Sequence, residues 1–159
     1  REYNVKELDL GEVLANAANI TRSRYNLSTD VIRNVFPEGP LTILGDEEEL
    51  ESAFTNLLDN AVKYSGTEPK ITIRTRKTSL GNRVAIAIRD NGMGISGGEL
   101  KRIFKRFYRS PDTASSTAKG TGLGLFIVKA IIKKHGGKVT ADSRGPGRGS
   151  TFLVELPLV

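Results

Sequence analysis

Between Leu50 and Ala61 the apolar residues Leu50, Ala53, Phe54, Leu57, Leu58 and Ala61 recur three and four apart, which predicts a helix with a single buried stripe. Asp46 stands ahead of it as an N-cap, residues 47–49 put carboxylates in its first turn and Lys63 a cation in its last, so the helix should end near 64–66. An earlier stripe, Leu10, Val13, Leu14 and Ala17, follows Asp9 and Glu12, which read as a capping box opening a short helix. Between the two helices, residues 27–36 are β-prone up to Pro37-Glu-Gly-Pro40, and 41–44 form a second apolar run, predicting two brief strands around a turn. The period then changes to two. Ile71 and Ile73 alternate with polar residues, as do Val84, Ile86 and Ile88 beyond Thr78-Ser-Leu-Gly-Asn82, and this predicts a hairpin.

Further along, 99–108 carries Ile103, Phe104 and Phe107 against a basic face and reads as a short amphipathic helix. The stretch 110–119 has almost no apolar residue and is expected to be mobile. Leu123, Ile127, Val128, Ile131 and Ile132 predict a last helix that stops at Gly136-Gly137, and two final strands flank Arg144-Gly-Pro-Gly-Arg-Gly149. Helices and hairpins in this order give an α+β fold, and 159 residues fit one domain with a sizeable core.

Composition narrows the chemistry. With no cysteine and one histidine, His135, disulfides, thiolate metal sites and histidine-rich metal centres are excluded. The absence of cysteine fits a reducing cytosol. A formal charge of +6 suits phosphate-bearing ligands, an acidic partner or nucleic acid, without choosing among them. No apolar run approaches the roughly 20 residues of a membrane helix, Arg1-Glu-Tyr-Asn4 does not resemble a signal peptide, and the abrupt start suggests a piece of a longer protein.

Three groups of residues carry candidate chemistry. Asn56, Asn60 and Lys63 share one face of the predicted 47–63 helix; an amide oxygen suits a hard cation that keeps its waters, and a lysine supplies a point charge for phosphate, although an ordinary solvated face has the same composition. Asp90, ahead of Asn91-Gly-Met-Gly-Ile95, is an acceptor-only carboxylate beside glycines that admit a flat base, so it suits an adenine amino group; a simple Asp-Gly turn is the alternative. Gly120, Gly122 and Gly124 open the last helix, where unhindered backbone amides favour an anion.

Several other readings are weaker. Gly92, Gly94 and Gly97 match the G-x-G-x-x-G spacing, but the strand ahead belongs to a predicted hairpin and no acidic residue follows at a second strand end, which disfavours a dinucleotide fold. Neither the usual P-loop nor an H-R-D kinase signature occurs. The basic face of 99–108 and its aromatics are better spent on solvation and packing than on nucleic acid. His135 reads as structural, a polar or cationic residue at a helix C-terminus.

The ordered set Asn56-Leu-Leu-Asp-Asn-Ala-Val-Lys-Tyr-Ser65, Asp90-Asn-Gly-Met-Gly-Ile95, Ile103-Phe-Lys-Arg-Phe-Tyr-Arg109, Gly120-Thr-Gly-Leu-Gly-Leu125 and Gly149-Ser-Thr-Phe152 resembles the N, G1, F, G2 and G3 motifs of the catalytic ATP-binding domain of bacterial sensor histidine kinases. That family shares a superfamily with gyrase, the ninety-kilodalton heat-shock chaperone and mismatch-repair ATPases. The resemblance implies a two-layer α/β sandwich, a mixed and largely antiparallel sheet under helices, forming one domain over 1–159 with a mobile lid at about 96–119. It implies ATP and Mg²⁺ as cofactors. Asn60 would ligate the metal, Asn56 and Lys63 would lie near the phosphates and Tyr64 near the nucleotide. Asp90 would read adenine, and Gly92, Met93, Gly94, Ile95 and Thr151 would also bind the nucleotide. Gly120, Thr121, Gly122, Leu123, Gly124 and Leu125 would hold phosphate, Lys119 would also bind the nucleotide, and Arg106 or Arg109 would approach the γ-phosphate.

Hydrolysing relatives carry a glutamate general base four residues before the magnesium asparagine, where this chain has Asn56; an amide cannot take a proton from water. Transfer of the γ-phosphoryl to a nucleophile on another domain asks mainly for positioning and charge stabilisation. By resemblance, then, the chain is the catalytic part of a histidine kinase in two-component signalling. Its partners would be the histidine-bearing dimerisation domain of the parent and, indirectly, a response regulator. Neither nucleic acid nor membrane contact is expected of it, and the setting would be cytoplasmic, with a parent that is membrane-anchored or not. An ATPase, a regulatory nucleotide-binding module and a serine kinase of the same superfamily are the alternatives.

Overall fold

The computed structural model describes residues 1–37, 39–105, 108 and 124–159. A first strand, β1 (Val5–Asp9), leads directly into helix α1 (Leu10–Tyr25). Asp9 sits between them and accepts the Gly11 N–H at 3.0 Å, so it caps the helix alone, without a reciprocal bond from Glu12. The helix is longer than its short apolar signature suggests, because Ala18 and Thr21 continue the buried stripe. It stops at Asn26, whose φ of 52° is a left-handed conformation that asparagine tolerates, and the Leu27 N–H closes the end on the Arg22 carbonyl at 2.9 Å.

Helix α2 (Glu47–Lys63) follows strand β3 (Thr42–Asp46) with no intervening loop. Its limits agree with the sequence reading. Asp46 accepts the Glu49 N–H at 3.0 Å, and Tyr64 closes the far end. The whole apolar stripe from Leu50 to Ala61 is buried.

Five strands make the main sheet, in the order β2 (Ile32–Val35), β4 (Ile71–Lys77), β5 (Arg83–Asp90), β7 (Ser150–Pro157) and β6 (Lys138–Asp142). Only β2 and β4 run parallel. The expected β4–β5 and β6–β7 hairpins are present in register Ile73 to Ile88 and Val139 to Val154. One face of the sheet, carrying Ile71, Ile73, Val84, Ile86, Ile88, Phe152, Val154 and Leu156, packs into a single cluster with α1, α2 and the last helix, α3 (Gly124–Lys134). Burying each large apolar side chain stabilises such a core by about 1.5–3 kcal/mol. The result is a two-layer α/β sandwich.

Three sequence expectations need correcting. Strand β1 carries no alternation signature, because only Leu8 of its five residues is buried. The brief strands β2 and β3 exist but do not pair with one another: β2 lies parallel to β4, with Ile32 opposite Ile71, and β3 pairs antiparallel with β1. A parallel partner reached across a helix leaves no local trace in the sequence. The expected 99–108 helix is, over its described residues, a run of turns, with Arg102 and Lys105 N–H bonded to Glu99 and Arg102 carbonyls at 2.9 Å. Phe104 anchors it, edge-on to Phe152 with ring centroids 6.1 Å apart. Lys101, Arg102 and Lys105 stay in solvent.

Candidate functional site

Strand β5 ends at Asp90, on the sheet face that packs against the helices, at the end where α2 finishes. The side chain is buried, 8% exposed, yet only half satisfied. Its Oδ1 accepts the Gly92 N–H at 2.9 Å and the Ser150 N–H at 3.1 Å. Among the described residues Oδ2 has no partner. Burial pushes this carboxyl above its ordinary range, while the Gly92 and Ser150 N–H groups pull the other way. One oxygen is therefore fixed by the protein and the other is free to accept an N–H from a ligand.

The loop after Asp90 is tied down at every step. Asn91 accepts the Lys70 N–H and donates to the Glu68 carbonyl, each at 3.0 Å. The Met93 N–H reaches the Tyr64 carbonyl at the end of α2, at 3.0 Å. A second loop, 143–149, closes over it, with Gly147 and Gly149 N–H bonded to Met93 and Gly92 carbonyls at 2.6 and 3.0 Å. Two glycines make that approach possible. Gly94 has φ of +74°, and a Cβ there would lie 2.1 Å from the Gly145 oxygen; Gly149 has φ of +70°, and its Cβ would lie 2.2 Å from the Asp90 carbonyl oxygen.

On α2, Asn56, Asn60 and Lys63 occupy the same helix face, as their spacing requires. The Asn56 Nδ2 donates to the Ser52 carbonyl at 2.8 Å, and its Oδ1 points to Gly124, where an added Cβ would sit 3.3 Å away. The start of α3 is thus brought against the asparagine face. Asn60 is half-buried and Lys63 exposed, and neither side chain bonds to another described residue. An uncommitted amide oxygen fits Mg²⁺, which keeps several waters and takes one or two protein ligands. No cluster of three or more His, Asp or Glu able to hold a metal occurs among the described residues. The Mg²⁺ reading therefore rests on Asn60.

The fold brings Asn56, Asn60, Lys63, Tyr64, Asp90, Gly92, Met93, Gly94, Ile95 and Gly124 to one end of the sandwich, and Leu125 follows Gly124 on α3. Arg106, Arg109, Lys119, Gly120, Thr121, Gly122 and Leu123 lie outside the described residues. So does most of the expected 96–119 lid. Thr151 is not brought to Asp90: along β7 the residues alternate, and it is Ser150 that is buried on the Asp90 side. Ser150 and Ser143 are the residues that sequence reasoning passed over. A serine beside a glycine turn reads as a turn residue, and only the pairing of β5 with β7 reveals its neighbour. The dinucleotide reading of Gly92, Gly94 and Gly97 also lapses, because β5 is antiparallel to both neighbours. His135 is structural, as expected, but for another reason: it is buried, with its Nε2 accepting the Asp46 N–H.

Comparison with known proteins gives one consistent result. Residues 45–159 match the family described as histidine kinase-, DNA gyrase B-, and HSP90-like ATPase. The sensor protein RprX of Bacteroides fragilis is 35% identical over 158 residues, which is 98% of this chain but 30% of RprX. The SenX3 sensor-like histidine kinase of Mycolicibacterium smegmatis is 38% identical over 85% of this chain and 33% of its own length, so the chain spans about a third of these curated relatives. Among solved structures, the mycobacterial sensor histidine kinase MprB superposes with a TM-score of 0.81 at 29% identity, covering 98% of each chain.

Proposed function

The chain belongs to the family of histidine kinase-, DNA gyrase B- and HSP90-like ATPases, and on that premise we propose that it is the single ATP-binding catalytic domain of a sensor histidine kinase. It holds Mg-ATP and donates the γ-phosphoryl group to a histidine on a separate dimerisation domain. Asp90 accepts the adenine amino group through Oδ2. Asn56, Lys63 and the glycines of the Gly120-Thr-Gly-Leu-Gly124 run attend the phosphates. Asn60 holds the metal, which when bound neutralises phosphate charge. Arg106 or Arg109, carried over by resemblance, would meet the γ-phosphate.

The observation that carries transfer over hydrolysis is the amide at position 56. Its nitrogen is engaged by Ser52 at 2.8 Å and its oxygen lies by Gly124, so the side chain orients but cannot accept a proton from water. Transfer to an imidazole nucleophile needs no such base. It needs the acceptor brought into line with the γ-phosphate. A response regulator is the downstream partner in this reading, and the setting is cytoplasmic. No described helix is long and apolar enough to cross a membrane.

Mixing the chain with the separately purified histidine-bearing domain of its parent and γ-labelled ATP tests the assignment. Acid-labile label on that domain, and none on this chain, is the expected result. Robust ATP hydrolysis by the chain alone, or label on His135, would overturn it in favour of an ATPase.

A further inference from the structure

The hydroxyl of Ser143, at the start of the 143–149 loop, has one proton to give and two lone pairs to fill, and the structure uses all three. Its Oγ lies 2.7 Å from the Gly149 carbonyl oxygen, 3.0 Å from the Ile95 nitrogen and 3.2 Å from the Gly145 nitrogen. The Gly145 carbonyl oxygen, at 3.3 Å, is a poorer acceptor for the same proton. The two N–H groups can only donate, so the hydroxyl proton goes to Gly149. Residues 48 apart in sequence, Ile95 and Ser143, are joined by a side chain that neither alanine nor valine could replace.

The Gly149 carbonyl is one end of a peptide plane, and the other end is the Ser150 N–H that donates to Asp90 Oδ1 at 3.1 Å. Because a peptide is planar, fixing the carbonyl fixes the direction of the N–H. The geometry points to Ser143 as the positioning residue for base selection: it sets the Gly149–Ser150 peptide, that peptide sets the rotation of the Asp90 carboxylate, and the rotation decides where Oδ2 is presented. The bond from Ile95 fixes the end of the facing loop in the same act. Ser143 touches no ligand itself. The inference rests on Asp90 reading the base, as proposed above.

A residue that only held two loops together would change stability and leave selectivity alone. The test is therefore calorimetric titration with ADP and GDP, with thermal unfolding in parallel, on wild type, Ser143→Ala, Ser143→Thr and Val139→Ala. Val139 is a buried core residue on β6, the strand that leads into Ser143, remote from Asp90, and serves as the destabilised control. Loss of the hydroxyl should weaken ADP binding about tenfold and shrink the ADP-over-GDP preference by a similar factor. Threonine, which keeps the hydroxyl, should restore both, and Val139→Ala should lower the unfolding temperature with the preference intact. Should Ser143→Ala not fold, Ser143→Cys, a weak donor in the same place, must give an intermediate preference. A wild-type preference in either folded variant overturns the role of Ser143 and leaves the nucleotide reading standing. Wild type that binds neither nucleotide overturns both.

Discussion

The backbone N–H of Asp46 donates to Nε2 of His135 at 3.1 Å, and that bond decides the state of the chain's single histidine. A backbone N–H cannot accept, so Nε2 keeps its lone pair; the ring proton sits on Nδ1 and points to the Ile131 carbonyl at 2.8 Å. Both ring nitrogens are therefore engaged. Asp46 also caps α2 and receives Arg1 at 2.7 Å and the Asn4 N–H at 2.8 Å, so one corner binds the end of α3 to the start of α2.

Replacing His135 by leucine leaves the Asp46 N–H buried without an acceptor, and should destabilise the fold by about 1–3 kcal/mol. Urea unfolding measures this. A variant as stable as wild type would show that the corner is held by packing alone.

The Asp46 carboxyl is held well below its ordinary range, chiefly by Arg1 and then by the Asn4 N–H. A depressed folded value means that its contribution is present above the unfolded value, about 3.9, and is lost as pH falls below it. Followed by circular dichroism, the fall in stability on acidification should be flatter in Asp46→Asn than in wild type, and parallel acid limbs would show that the carboxyl contributes nothing.

Asp90 behaves in the opposite sense. Its carboxyl is raised by burial, so the folded state binds a proton more readily than the unfolded one, and stability falls as pH rises from the ordinary value through the raised one. Nucleotide binding runs against this trend, because only the ionised form is a pure acceptor for an adenine amino group. ADP affinity should therefore decline on acidification from a pH above the usual carboxylate range, and Asp90→Asn should lose both the decline and the adenine preference. An ADP affinity flat through that range in wild type would remove Asp90 from the base site.

Much of this was legible in the sequence. Periodicity marked α2 from Asp46 to Tyr64 because its cap, stripe and terminal charges agree, and the hairpins because strict alternation admits no other element. The site motifs were legible as residues but not as a constellation. Asp90 and Ser150 lie 60 residues apart and meet only because β5 pairs with β7, and the motif that points to Thr151 gives no strand phase by which Ser150 could be found. Strand β1 and the parallel β2–β4 pair were invisible for a related reason: their partners are remote and their own apolar content is slight.

Gly94→Ala should destabilise the chain by about 2–4 kcal/mol, combining the left-handed backbone penalty with a collision. The added Cβ would lie 2.1 Å from the Gly145 oxygen, which is backbone and cannot swing aside. Gly97, three residues on, offers the control, since nothing lies within 4 Å of a Cβ there and its φ is ordinary. Thermal unfolding should separate the two alanines clearly, and equal effects would mean that the 91–95 and 143–149 loops are free to part.

Asn60→Ala should leave the fold within about 0.5 kcal/mol of wild type, because the side chain is half-buried and bonds to no described residue. What it should remove is the tightening of ATP binding by Mg²⁺, read by calorimetry with and without the metal. Asn56→Ala makes the contrast, since it breaks the bond to the Ser52 carbonyl and uncovers Gly124, so it should weaken ATP whether or not Mg²⁺ is present. Asn60→Asp refines the assignment: a carboxylate keeps an oxygen for the metal but repels the phosphates, so ATP should bind weakly without Mg²⁺ and recover more steeply when it is added. If Asn60→Ala retains the full magnesium effect, the amide belongs to a solvated helix face and the metal is held elsewhere.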